Sequence, residues 1–423
     1  MQIVAYAVRK AGIGALVSAL VVGMLVAPGV GGAAPVADRV TIGFFLPLTG
    51  AAAAEGNGVR EGADLAAKQI NDAGGIRVGT RRVRVELVYE DDRCSPQGAT
   101  EAANRLTGRR VDFVGGSFCS SAALAAQPIF AQANIPQVIY AFATDLTGAA
   151  REKANAKYSV RLGPQAKIEM APLAKYAVLA NNHKTFFAMG QNTDFGRSMV
   201  TEFRTVLEKL GGRFVAEPEY FNFGATDFRT ILTRAKASGA QGLLAIGLLG
   251  EMIGITLQYR ELGLTQGFYG SDLLENAPYM EAVGDRNRGF YSPWFYDDGA
   301  DARTFRRTEP ERESKVLSLA FLKGLNRRAT RDNGWGWGTV HLIRQAVERA
   351  GTTNSAAVAQ KLLSGDKFEL PYGTYGFTAC GQADMRAGVA MYEGGFKKVL
   401  VTDRDYAGTA PVVLTAADLC PKK

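Results

Sequence analysis

Residues 40–46, VTIGFFL, and residues 83–89, VRVELVY, bracket a stretch whose apolar side chains recur at Val59, Ala63, Ala66, Ala67 and Ile70. The first run is short, apolar and β-branched or aromatic, and Pro47 and Gly50 end it. It reads as a buried strand. The middle stretch has the 3.6-residue period of an amphipathic helix, stopped by Gly74-Gly75. The last run alternates strictly, as a half-buried strand does. A strand, a helix and a second strand in this order predict parallel pairing through a right-handed crossover.

The same alternation continues outward. A helix is predicted over 96–106, a strand over 111–114, a helix over 122–133 and a strand over 136–140. It restarts beyond Ala150. Residues 158–162 read as a crossing strand. Helices over 168–179, 197–210, 227–237 and 251–262 then interleave with strands over 185–189, 214–220, 242–246 and 267–270. Residues 290–296 read as a second crossing. Helices over 316–329 and 335–350 follow, then β-type runs over 373–377, 388–392 and 397–402. The predicted fold is α/β, with two Rossmann-like lobes joined by a multi-strand hinge. The expected division is 38–160 plus 297–372 for the first lobe and 161–296 plus 373–423 for the second. In open α/β sheets ligands bind beyond the carboxyl ends of the strands, so two facing lobes are expected to close on a small solute.

The chain has 423 residues, 47% of them hydrophobic and 21% charged, which excludes a disordered chain. The formal charge is +8. The basic residues are scattered in short runs such as Arg81-Arg82 and Arg306-Arg307, so no nucleic-acid surface is expected. Arg9-Lys10 precedes an apolar run over 11–27, and small residues follow, which is the pattern of a secretory signal peptide with cleavage between Ala33 and Asp38. The other reading of the run is a membrane anchor, for which about 17 residues is short against the roughly 20 required. No Cys precedes Cys94, so no lipid attachment is expected. The predicted location is the periplasm.

Four cysteines, Cys94, Cys119, Cys380 and Cys420, allow three pairings. Nearness in sequence favours Cys94–Cys119 and Cys380–Cys420. No pair has zinc-site spacing, and no metal or cofactor is expected. The only histidines, His183 and His341, lie outside any hydrolase motif, and neither a nucleophile elbow nor a P-loop is present. An enzyme is not expected.

Six strings then align in order: VTIGFFLPLTG (40–50), GVREGADLAAKQINDAGGI (58–76), YEDDRCSP (89–96), GGSFCSS (115–121), NTDFGRSM (192–199) and FYGSDLLENAP (268–278). Together they resemble the leucine/isoleucine/valine-type substrate-binding proteins of ABC transporters, over about residues 40–402. The resemblance implies the type I periplasmic binding fold, three hinge crossings, one amino-acid-like ligand in the cleft, an inner-membrane ABC permease as partner and a monomer. It also implies the Cys94–Cys119 disulfide. Cys380 and Cys420 lie outside that pattern and are expected to tie the tail to its lobe.

The ligand positions implied by the resemblance are Ser120 and Ser121 at a helix start, which is an anion site. Ser120 reads equally as a plain N-cap. Ala143 and Thr144 match a dipeptide that offers a carbonyl and a hydroxyl. Phe195 matches an aromatic closing over the ligand, or else a core residue. Asp272 matches an acid pairing with the ligand's ammonium, or else a turn residue. Two departures stand out. Glu55 lies where relatives carry an aromatic, placing a carboxylate near the mouth, and Leu248-Leu249 stand where relatives carry a Tyr. The ligand is therefore read as an amino acid or, alternatively, an aromatic acid or amide. A soluble sensor of the same fold is the other reading.

Overall fold

The computed structural model describes residues 38–296, 329–371, 373–401 and 420. The expected signal peptide, the expected helix over 316–329 apart from its last residue, and most of the tail lie outside the described residues.

The first lobe begins with β1 (Arg39–Leu46), α1 (Ala53–Asp72), β2 (Ile76–Val78), β3 (Arg81–Asp91) and α2 (Pro96–Gly108). It continues through β4 (Phe113–Gly116), α3 (Ser120–Gln132), β5 (Gln137–Ile139), a 3-10 turn over Thr144–Thr147, α4 (Ala149–Lys153) and β6 (Val160–Arg161). The sheet order is β2-β3-β1-β4-β5-β6. β1 runs parallel to both β3 and β4, with Val40 opposite Val85 and Ile42 opposite Phe113. That is the crossover geometry expected from VTIGFFL and VRVELVY. Val40, Ile42, Phe44, Phe45 and Leu46 are fully buried, as a central parallel strand requires.

The second lobe contains α5 (Ala166–Leu179), β7 (Thr185–Gln191), α6 (Asp194–Lys209), β8 (Arg213–Phe214), β9 (Glu219–Phe221), α7 (Arg229–Ala237) and β10 (Gly242–Ile246). It goes on through α8 (Leu249–Glu261), β11 (Gly267–Gly270), α9 (Ala277–Val283) and β12 (Phe290–Tyr296). The chain then returns to the first lobe as α10 (Arg331–Ala350), α11 (Ser355–Leu362) and the hairpin β13 (Phe368–Leu370)–β14 (Gly373–Tyr375). It ends in the second sheet as β15 (Arg386–Gly394) and β16 (Lys397–Val401), giving the order β16-β15-β12-β11-β10-β7-β8.

Three expectations are corrected. Residues 290–296 are not a crossing: β12 lies inside the second sheet, parallel to β11 and antiparallel to β15. The single strand over 214–220 is two short strands, each parallel to β7. Gly373–Tyr375 pairs with β13, and Gln345 of α10 bonds the Glu369 backbone, so the returning segment stays with the first lobe past residue 372.

α10 covers α1, and glycine sets their spacing. A Cβ on Gly62 would lie 1.9 Å from the Asn333 carbonyl oxygen, and one on Gly336 would lie 1.8 Å from that of Val59. Only hydrogen fits at both points.

Two connecting segments run side by side between the lobes. The Arg161 N–H donates to the Gly381 carbonyl at 2.7 Å, and the Ala383 N–H donates to the Arg161 carbonyl at 3.0 Å. The Arg161 side chain is wholly buried and donates to Gln382 Oε1, the Ala143 carbonyl and Thr147 Oγ1. Burial lowers its pKa to about 9.

Both expected disulfides are formed. Cys94–Cys119 and Cys380–Cys420 have Cα separations of 5.3 and 5.6 Å.

Candidate functional site

The carboxyl ends of β4, β7, β10 and β11 converge between the lobes. Where β4 ends, α3 starts at Ser120, and no side chain caps its first N–H groups. Its first two residues border a small, partly open cavity, with a free volume of about 20 Å3, bounded by residues of both lobes. Phe118, the Cys94–Cys119 disulfide, Ser120, Ser121 and Phe142 line it from the first lobe. Gln191, Thr193, Phe195, Leu248 and Leu273 line it from the second. The Phe142 and Phe195 rings meet across the gap at 6.0 Å.

The walls are braced from behind. Asp92 accepts the Cys94 N–H at 2.8 Å and the Ser117 hydroxyl at 2.6 Å, fixing both loops that carry the disulfide. Burial raises its pKa to about 6. Glu251 accepts from Gln191 Nε2, the Leu248 N–H and the Gly224 N–H. Gln191 Oε1 accepts the Thr193 hydroxyl at 2.7 Å. The polar groups of the second-lobe wall are thus held in one arrangement.

Hydrogen bonds across the cleft hold the lobes together. The Ser121 hydroxyl donates to Asp194 Oδ2 at 2.6 Å. The Thr144 N–H donates to Ser198 Oγ at 3.1 Å, and the Thr144 hydroxyl donates to Glu202 at 2.9 Å. Asn276 Nδ2 donates to Asp332 Oδ2 at 2.8 Å, and Arg331 donates to Asp272.

The predicted residues therefore separate. Ser120, Ser121, Phe195 and Leu248 share the cavity wall. Ser120 Oγ also accepts the Ala143 N–H at 3.2 Å, while the Ala143 carbonyl accepts from Arg161. Three others lie outside that wall. Thr144 lies outside the lining and latches onto α6, because its hydroxyl finds a carboxylate there. Glu55 is not at a mouth: it is 1% exposed, since α1 begins six residues earlier than its apolar pattern indicated and turns the carboxylate inward. Its Oε1 accepts the Leu249 N–H at 3.0 Å. Asp272 is wholly buried and is paired with Arg331 of the first lobe, and neither lines the cavity.

The sequence reading missed Arg331. Its guanidinium spans Asp272 and Asp332, with 2.9 Å to Asp332 Oδ1, and sits 5.6 Å from the centre of the Phe118 ring. It opens α10, whose N-cap is Thr330 with Asn333 bonding back to the Thr330 N–H. Thr-x-x-Asn departs from the usual capping box, so the helix start was placed at Trp335, past the arginine. Gln191, the last residue of β7, and Thr193 and Leu273, which follow their strands, were also missed, each being a common residue type at a strand end.

The family model for periplasmic binding proteins matches residues 39–398. The chain belongs to the periplasmic binding protein family. A Leu/Ile/Val-binding protein homologue of Brucella melitensis is 27% identical over 346 residues, covering 81% of this chain and 88% of that one. A leucine-, isoleucine-, valine-, threonine- and alanine-binding protein of Pseudomonas aeruginosa is 27% identical over 348 residues, covering 81% and 86%. The fold is that of a leucine binding protein from Thermotoga maritima, with TM-score 0.74, 21% identity, and coverage of 86% of this chain and 99% of that one. It is equally that of a solute binding protein of an ABC transporter from Rhodopseudomonas palustris, solved with 3,4-dihydroxybenzoic acid, with TM-score 0.74, 19% identity, and coverage of 86% and 97%. This periplasmic binding protein thus has the two-lobed type I architecture. Among the described residues, no helix is long and apolar enough to cross a membrane.

Proposed function

We propose that this periplasmic binding protein captures one small organic solute between its lobes and presents it to an ABC permease, working in the periplasm after loss of the leader. The observation that carries the reading is the cavity lined by Ser120, Ser121 and Phe142 from one lobe and by Thr193, Phe195 and Leu248 from the other. A solute there touches both halves only when they are together, so its binding energy favours the closed form. The family and its Leu/Ile/Val-binding members support the reading.

The lining also supports binding rather than catalysis. Cys94 and Cys119 are tied to each other, no described residue of the lining is a histidine or an acid, and Asp194, which accepts the Ser121 hydroxyl, lies outside the lining. A free volume of about 20 Å3 holds roughly one water. A solute of amino-acid size is therefore received with the Phe118, Phe142 and Phe195 rings further apart than here.

The test is a thermal-shift screen of the purified protein against branched-chain amino acids and benzoate derivatives, followed by small-angle scattering with each hit. A solute at 100 times its dissociation constant adds about 2.7 kcal/mol to stability. A hit that also lowers the radius of gyration supports the proposal. If no compound of either class moves the melting curve, the proposal fails.

A further inference from the structure

Resting on this cleft reading, we infer that Arg331 is a specificity residue: it supplies from within the protein the cation that a ligand's ammonium would otherwise bring to Asp272, so the cavity takes carboxylates that lack a charged amine.

The charge distribution carries the argument. Asp272 sits two residues beyond the end of β11 and directly precedes Leu273, a wall residue. The Asp272 carboxylate is wholly buried outside the cavity lining. Its Oδ2 is already bonded to Arg331, whose guanidinium also holds Asp332. Both residues of the Arg331–Asp272 pair are shielded from solvent, with side chains 6% and 0% exposed. Separating such a pair strands a buried charge, which is strongly unfavourable.

The neighbouring acids do not replace Asp272. Glu251 is committed to Gln191, Leu248 and Gly224. Glu55 accepts from Leu249 and lies outside the lining. Glu169 is buried close to Asp272 and also lies outside the lining. Among the described residues that line the cavity, none carries a side chain that ionises, the two cysteines being bonded to each other. Asp194 accepts the Ser121 hydroxyl from an exposed position outside the lining, so an ammonium entering would lose its water without gaining a carboxylate in the wall. A carboxylate meets the Ser120 hydroxyl, which accepts from Ala143 and keeps its proton to donate, and the N–H groups at the start of α3 that no described side chain caps. Phe118, Phe142, Phe195, Leu248 and Leu273 then surround an apolar or aromatic body.

The test uses matched pairs that differ only in the amine: 4-methylpentanoate against leucine, and 3-phenylpropanoate against phenylalanine. Affinities are measured by calorimetry on the purified protein and on Arg331→Met. For the native protein the expected result is at least tenfold tighter binding of the amine-free member of a pair. For Arg331→Met the expected result is at least a tenfold loss of that preference, as Asp272 becomes available to an ammonium. Tighter binding of the amino acids by the native protein overturns the inference while leaving cleft capture intact. If neither member of either pair nor benzoate binds, cleft capture of such solutes fails and the inference fails with it. If Arg331→Met does not fold, the native protein's ranking of each pair still decides.

Discussion

Glu55 links the stability of the closed form to pH. Its carboxylate leaves α1 in the first lobe and accepts the Leu249 N–H at the start of α8 in the second. Its Oε2 is buried and finds no hydrogen-bond partner among the described residues. Burial, and then the nearby Asp332, push its pKa up to about 7, against the downward pulls of the Leu249 N–H and Arg331. A carboxyl group whose pKa is raised in the native state binds its proton more tightly there. Its contribution is complete below the ordinary value near 4.5 and is lost as pH rises through 7. At about 1.4 kcal/mol per pKa unit, the loss is on the order of 3 kcal/mol. Glu55→Gln keeps an oxygen for the Leu249 N–H and removes the ionisation. The variant is expected to match the native protein at pH 4.5 and to exceed it by up to about 3 kcal/mol at pH 8. The assay is urea unfolding of both proteins across that range, read as the difference between them. Asp92, Glu169 and Glu251 also have raised pKa values and remain in both proteins, so the difference isolates Glu55. Parallel curves at all pH values, or a variant less stable at pH 8, would refute the linkage.

Thr144→Val removes the hydroxyl that meets Ser198 and Glu202 across the cleft; a loss of about 1.4 kcal/mol in the closed form would weaken solute binding about tenfold, as calorimetry will show. Replacing both Cys94 and Cys119 by Ala opens a crosslink spanning 25 residues and is expected to cost about 3 kcal/mol in denaturant unfolding. Adding reductant to the native protein opens Cys380–Cys420 as well and should give a larger loss. Gly336→Ala puts a methyl group 1.8 Å from the Val59 carbonyl oxygen and is expected to cost about 3 kcal/mol, whereas Gly351→Ala, with nothing within 4 Å but a positive φ, should cost about 1 kcal/mol; equal midpoints in urea would contradict the close packing of α1 on α10.

The α/β order was legible because each central strand buries an uninterrupted apolar run and each covering helix shows one apolar face. Val40–Leu46 and the stripe from Val59 to Ile70 are the clearest cases. Short edge elements were not legible: Ile76–Val78 and Phe368–Leu370 are three residues each, too few to show a period, and pairing across a turn sets them. Of the candidate site, Ser120 and Ser121 could be read because a strand gives way to a helix just before them. The role of Asp272 could not. Its partner is 59 residues away in sequence, across an undescribed stretch and on the other lobe. An acid at the end of a strand looks the same whether a solute or an arginine neutralises it. Glu55 misled for a related reason, since the alanines before it gave no sign that the helix had already begun.

Arg161 ties together parts that would otherwise move separately. It belongs to the last strand of the first sheet, grips Gln382 on the neighbouring connection and holds the Ala143 carbonyl and the Thr147 hydroxyl. A twist of the paired connections is thereby delivered to the very loop that latches α6. The joint and the fastener share one axle, so unfastening the cleft and bending its joint become a single motion.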